Sequence, residues 1–356
     1  MIRSLSLVVC MTLALGGSTT PAFAADAPLH LPSTPKTVVR GVIAADRAPV
    51  LRIRDGQTVA IDTVSHGGLT DDPVKFFGEF GIPKNEVLKD VIDIAAIPRT
   101  SGFGGHVLTG PIYVEGAEPG DMLEVRIHKV TPRVPYGVNN PGPGGVDPTL
   151  VAERSSKVIK FDMARKVGRY PSGIEVPLVP FMGIMAVAPS PQVGQVGSRA
   201  PGNFGGNLDF AALKDGATLY LPVLAPGALF YTGDSHAGQG DGEVDGNAIE
   251  ASMTATLQFL VHKGAGKSMT YPSAEDKDNY YALGMDKDLN LALKNAVHEA
   301  VLFLQSKGMA ADDAYSVASV AVHFGIAEAV DENLVVYGRI PKSVLSSKTT
   351  YWTERK

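Results

Sequence analysis

The chain predicts a mainly β fold, and three observations carry that expectation. Glycine and proline are abundant, at 39 and 25 residues, which favours many turns and short strands over long helices. Met253, Ala255, Leu257, Phe259 and Val261 alternate with Ser252, Thr254, Thr256 and Gln258, the period of two expected of a half-buried strand. Helical spacing is confined to the C-terminal part, where Leu289, Leu293, Val297, Val301 and Leu304 recur on one face. With 356 residues, 44% hydrophobic and 19% charged, the chain is long enough for one large or two intermediate cores. Its formal net charge of −5 argues against nucleic acid or an anionic membrane as partner, since both attract basic faces.

Taken in order, the chain opens with a basic Met1-Ile2-Arg3, an apolar run over Leu5–Leu15 and a small-x-small site at Ala22-Phe23-Ala24. Residues 1–24 therefore read as a secretory signal peptide, too short for a membrane anchor. The expectation is a chain starting near Ala25, periplasmic or secreted. Cys10, the single cysteine, falls inside this segment and follows Val9, unlike a lipoprotein cysteine. The mature chain then has no thiol nucleophile, disulfide or cysteine ligand. The rest divides into a β-rich part over residues 25–170 and a second over 171–345, expected to intertwine as one unit.

Ala25 to about Val38 is Pro-rich and polar and reads as a loosely held lead-in. Leu51 and Ile53, then Val59 and Ile61, flank Asp55-Gly56 and suggest a hairpin with a tight turn. A polar loop carrying His66 follows over Thr63–Pro73, and a glycine-rich passage over Gly102–Gly105 precedes His106. Strands are expected over Leu108–Val114 and through Leu123, Val125 and Ile127, with turns over Glu115–Asp121 between them. Arg133–Pro148 is so rich in Gly, Pro and Asn that it reads as a long loop over an active-site mouth. Strand-like runs cover Lys157–Phe161 and Ile174–Ala188, with Phe181–Met185 filling core. Ser198–Asp209 is a loop of small and amide residues, and Thr218–Val223 a strand ending before a turn at Pro226-Gly227. Gly308 stops the C-terminal helix. A second helix starts at Asp312 or Asp313, whose carboxylate caps it, and runs towards Phe324. Asn333–Ile340 reads as the last strand.

The richest chemistry lies in Gly233–Glu243, which places His236 with Asp234, Asp241 and Glu243 among glycines. It reads as a connection between two strands, where glycine lets backbone and short side chains approach a ligand. Imidazole and carboxylates are also the groups that bind a hard or borderline divalent metal. The plain alternative is a solvated loop whose aspartates cap turns. His128, His262, His298 and His323 fall on expected strands or helices and read as structural.

Several passages together resemble the acetamidase/formamidase family of amide hydrolases. They are Leu108–Asp121, Gly205–Asp209, Leu219–Val223, Pro226–Phe230, His236–Val244 and Asp312–Tyr315, in order, over roughly Val39 to Leu345. The resemblance implies a jelly-roll-like β-sandwich with an added C-terminal α/β portion. It further implies hydrolysis of short aliphatic amides to carboxylate and ammonia, and a divalent metal near the His/Asp/Gly/Glu loop, zinc ahead of calcium. Two departures bear on substrate rather than fold. Ser65–Leu69 stands where many members carry an Asp-Cys-Phe-type passage, and the chain carries an export signal.

Amide hydrolysis needs a nucleophile, a holder for the oxyanion and an acid for the leaving amine. Water activated by a divalent ion serves, because the ion lowers its pKa and polarises the carbonyl. In that scheme Asp234 and His236 are metal ligands. Glu243 or Asp241 moves the proton, and His106 is a further catalytic candidate. Asn207, Asp209 and His66 are substrate-binding candidates, with turn capping as the alternative for the first two, while His66 and His106 each read either as ligands or as loop packing. Ser235 as nucleophile lacks a G-x-S-x-G elbow. Expected partners are a small amide and further copies in a homo-oligomer, dimer or larger. The competing reading is a non-catalytic, metal-containing ligand-binding β-sandwich.

Overall fold

The computed structural model describes residues 27–98 and 104–345. The signal-peptide segment with Cys10, and Gly102 of the passage before His106, lie outside the described residues.

One sheet of nine strands runs in the order β1 (Leu29–Leu31), β5 (Thr58–Asp62), β17 (Met253–His262), β7 (Met122–Pro132), β15 (Thr218–Pro222), β18 (Ser273–Glu275), β19 (Asn279–Asp286), β21 (Leu334–Pro341) and β20 (His323–Glu328). A second runs β14 (Gly205–Asn207), β12 (Phe181–Ala186), β16 (Phe230–His236), β6 (Val107–Val114) and β2 (Val38–Arg40), with β4 (Leu51–Ile53) also on β6. A third holds β11 (Glu175–Pro177), β10 (Val167–Arg169), β9 (Lys157–Asp162) and β8 (Tyr136–Asn139), and β13 (Gln195–Gly197) pairs with β3 (Val42–Ala44).

The two large sheets share one apolar core. Val59, Ile61, Val125 and Leu257 from the first pack with Leu108, Ile112, Ile184 and Phe230 from the second. Phe230 meets Phe259 across the layer with ring centroids 5.0 Å apart. The mainly β fold read from the sequence is present, and both large sheets draw strands from either half of the chain. Strand β17 shows why the alternation was legible: its odd positions from Met253 to Phe259 are buried and the residues between them are half-buried.

Helix α3 (Leu289–Ser306) lies on β19 and β21, and α4 (Ala311–Ala321) packs on α3. Its close approach is set by small residues: Ala292, Ala296 and Ala300 are fully buried, and a Cβ on Gly284 would stand 2.1 Å from the Ala296 backbone nitrogen.

Several sequence expectations need correction. Leu51–Ile53 and Thr58–Asp62 form no hairpin: β4 pairs with β6 and β5 with β17, in different sheets. The Asp55-Gly56 turn exists, with Gly56 at φ 83°, but strand partners are chosen by the core and not by the turn. Residues 29–31 of the lead-in are held as β1, paired with β5. Tyr136–Asn139, inside the expected long loop, is a strand on β9. Two short helices, α1 (Pro73–Glu79) and α2 (Lys89–Ala95), form where the sequence shows no helical period. Seven residues are too few to display a helical period, although Asp72 caps α1 by accepting from the Lys75 N–H at 3.0 Å. Ala310 occupies the N-cap of α4, while Asp312 and Asp313 sit in its first turn, where carboxylates complement the helix dipole. His323 therefore opens β20 instead of closing a helix.

Candidate active site and metal centre

Six segments bring buried carboxylates and imidazoles to one place. The Gly233–Glu243 stretch is only partly a loop, because β16 extends to His236 and carries Asp234. Both side chains are almost completely buried. The strand is irregular there: Ser235 pairs with Met182 and Gly233 with Ile184, leaving Asp234 opposite Gly183 without a registered partner. Asp234 has φ 49°, Asp209 φ 38° and Glu243 φ 46°. Thus, among the described residues, three of the six non-glycine residues with positive φ are carboxylates of this cluster, and such conformations persist only where the surroundings enforce them.

His66 comes from the loop after β5. That loop closes tightly because Gly67 has no Cβ, which would lie 2.7 Å from the Cβ of Glu250. His106 precedes β6, and its Nδ1 is 2.9 Å from the Ser198 hydroxyl. Asp209 follows β14. Glu250, just before β17, bridges by backbone to both Val138 and His236. Gln239 ties the loop down: its Oε1 is 2.9 Å from His236 Nδ1, and its amide donates to the Asp209 carbonyl at 2.6 Å.

The heteroatom spacing departs from that of a hydrogen-bonded network. His236 Nε2 lies 3.3 Å from Glu250 Oε1, 3.6 Å from Asp234 Oδ2 and 3.7 Å from Asp209 Oδ1. His106 Nε2 lies 3.7 Å from Asp234 Oδ2. His66 Nδ1 is 3.0 Å from Asp234 Oδ1, yet the two are not aligned for a hydrogen bond and both remain without one. His236 Nε2, Asp209 Oδ1 and Glu250 Oε2 are likewise buried and unpartnered, a costly state for polar atoms. Tetrahedral zinc bonds of about 2.0–2.2 Å separate ligand atoms by roughly 3.3–3.6 Å. The donors therefore fit a divalent cation between them. Four triads with ligand atoms within 4.8 Å recur here: His66, His106 and Asp234; Asp209, Asp234 and His236; His236, Glu243 and Glu250; Asp209, Glu243 and Asp331.

Electrostatics agrees. Burial, then the neighbouring carboxylates, pushes Asp209, Glu243 and Glu250 well above the usual carboxylate range. Burial and Asp331 raise Glu328 to about 8, and burial raises Asp331 to about 6. Asp234 alone is held low: burial opposes its charge, but His106, His236 and His66 outweigh it. Burial lowers His106 to about 4 against the pull of Asp234. Among the described residues no lysine or arginine pairs with these carboxylates. Arg199 favours the charge of Asp331 only weakly, the last of its influences, so the carboxylates are short of positive charge.

Of the residues singled out from sequence, His66, His106, Asp209, Asp234, His236 and Glu243 converge. Asn207 reaches the edge, its amide donating to Asp331. Asp241 is exposed and accepts from the Tyr337 hydroxyl at 2.7 Å, outside all four triads. Ser235 is buried, donates to the Ala251 carbonyl at 2.6 Å and faces the Thr63 hydroxyl at 2.9 Å, so it cannot serve as nucleophile. Sequence reading missed Glu250, Glu328, Asp331 and Gln239. Glu250 had a signal, a lone charge in the apolar run Ala248–Met253.

Comparison with known proteins assigns the scaffold. A model of the acetamidase/formamidase family matches residues 46–201 and 193–347. This chain belongs to the acetamidase/formamidase family. Membership supports amide hydrolysis as its chemistry. The chain is 24% identical over 316 residues to an acetamidase of Mycolicibacterium smegmatis, covering 66% of this chain and 76% of the relative. It is 30% identical over 213 residues to a Schizosaccharomyces pombe protein described as a formamidase, a match spanning 44% of this chain and about half, 52%, of that protein. In structure it resembles a protein of Thermoanaerobacter tengcongensis described as a predicted acetamidase/formamidase, with a TM-score of 0.74, 25% identity, and coverage of 90% of this chain and 98% of that one.

Proposed function

We propose that this chain is an exported, metal-dependent hydrolase of short aliphatic amides of the acetamide or formamide kind, releasing carboxylate and ammonia. The observation that carries the proposal is the set of buried, unpartnered donor atoms on His66, Asp209, Asp234, His236 and Glu250. His106 completes the set through its Nε2 near Asp234.

A divalent ion held there, zinc ahead of calcium, supplies Lewis acidity to a carbonyl and a water of lowered pKa. Asp234, kept ionised by three imidazoles, is the anionic centre of the ligand set. Gln239 fixes the His236 ring by its contact at Nδ1, leaving Nε2 to face the carboxylates. Ser198 does the same for His106, the kind of support that orients ligating imidazoles. Glu243, whose carboxyl burial pushes upward, is suited to accept a proton from attacking water and deliver it to the leaving nitrogen. Assembly as a homo-oligomer, dimer or larger, belongs to the same proposal and is read by light scattering.

Metal analysis of purified protein, combined with ammonia release from acetamide and formamide before and after chelation, tests the reading. Near-stoichiometric metal and chelator-sensitive ammonia release are expected. Saturable amide binding without release would favour the ligand-binding alternative.

A further inference from the structure

We propose that the preferred amide carries an apolar acyl group of about four to six carbons, seated in the cavity beside Glu243, and that an anionic group on its far end is rejected. This rests on the hydrolytic reading above and narrows its substrate class.

A cavity of about 400 Å³ opens between the four-stranded sheet and the loop from Gly238 to Ile249. Tyr170, Val176 and Ile249 give it an apolar wall, while Gln239, Glu243 and Asp245 line the opposite side. Two of these residues belong to the cluster as well. Gln239 contacts His236 at 2.9 Å, and the Glu243 carboxylate lies within 4.8 Å of ligand atoms on His236 and Glu250. An occupant of the cavity therefore lies beside Glu243, through which it borders the cluster.

Size leaves room for an acyl chain longer than that of acetamide. The cavity measures about 400 Å³, and cavities of about 300–1,000 Å³ ordinarily take ligands far larger than acetamide. A methyl group would leave the Tyr170, Val176 and Ile249 wall wet. A longer chain would cover it, and each buried methylene adds to binding. Charge decides the second half. Among the described residues no lysine or arginine lines the cavity, whereas Asp241, Glu243 and Asp245 do, so an added carboxylate would enter without a partner.

The test compares kcat/KM for acetamide, hexanamide and the monoamide of adipic acid, using the full-length mature protein as isolated with its metal. Hexanamide is expected to exceed acetamide by about 10²-fold, and the adipic monoamide to fall at least about 10-fold below hexanamide. Val176→Trp, on the short strand β11 at the edge of its sheet, fills the apolar side and should lower the hexanamide-to-acetamide ratio by about 10-fold or more. Acetamide hydrolysis with hexanamide no better overturns this proposal and leaves the hydrolytic reading standing. A ratio unmoved in Val176→Trp, with an unchanged melting profile, also overturns it. Turnover of none of the three amides overturns both.

Discussion

Replacing Gly183 with alanine tests whether the cluster depends on a missing Cβ. Gly183 stands on β12 opposite Asp234, where the pairing with β16 is interrupted. A Cβ there would lie 2.3 Å from Asp209 Oδ1, 2.6 Å from the Asp234 carbonyl oxygen and 3.0 Å from His236 Cε1. Ordinary contact begins near 3.4 Å, so the Asp209 carboxylate must retreat by 3.4 − 2.3, about 1 Å. The Asp234 carbonyl is main chain in a sheet and yields less easily. Overpacking of this kind costs about 1–3 kcal/mol of stability. Displacement of a catalytic constellation by about 1 Å lowers rate about 10²-fold. Gly183→Ala should therefore stay folded by circular dichroism, melt somewhat earlier, lose bound metal and lose about 10² in kcat/KM for acetamide. Gly78→Ala is the control, since a Cβ at Gly78 meets nothing within 4 Å. Full activity and full metal content in Gly183→Ala would refute the argument that this glycine makes room for the ligand set.

Three further outcomes are expected. Glu243→Gln should reduce turnover by about 10²–10⁴ with little change in melting; loss of metal with turnover per bound ion unchanged would make Glu243 a ligand only. Burial opposes the charge of Glu124, but hydrogen bonds from His262 and Arg126 outweigh it and hold its pKa below the ordinary 4.5. A depressed folded pKa contributes stability present above 4.5 and lost as pH falls through the folded value. Glu124→Gln should thus cost about 1–3 kcal/mol at neutral pH and flatten the acid limb of a denaturant-midpoint-versus-pH series, and an unchanged limb would count against the pairing. N-terminal sequencing of exported protein should begin at or near Ala25, whereas recovery only of chains retaining Met1 in the cytoplasm would remove export from the proposal.

What the sequence determined by itself was periodic or compositional. The alternation of β17, the spacing of α3 and its stop before Gly308, and the run of short strands all express local burial, which a linear chain displays directly. The dense loop of His236 and Glu243 was visible for a similar reason, because glycines and ligand-type side chains cluster there within a few residues. Tertiary structure alone decided which strands pair and which polar groups meet. Leu51–Ile53 and Thr58–Asp62 look like a hairpin, yet they enter different sheets because each buries its apolar face against distant residues. Likewise Glu328 and Asp331 carry no local mark that separates them from surface acids, and Glu250 is marked only as a lone charge in an apolar run. They join Asp209, Asp234 and Glu243 only when β14, β16, β17 and β20 are stacked, and only because Gly67 and Gly183 leave space for the approach. Burial then raises five of these carboxyls, Asp209, Glu243, Glu250, Glu328 and Asp331, while neighbouring imidazoles keep Asp234 charged. Desolvation is a property of the packed surroundings, so the chemistry of these side chains was fixed by the fold and not by their order in the chain.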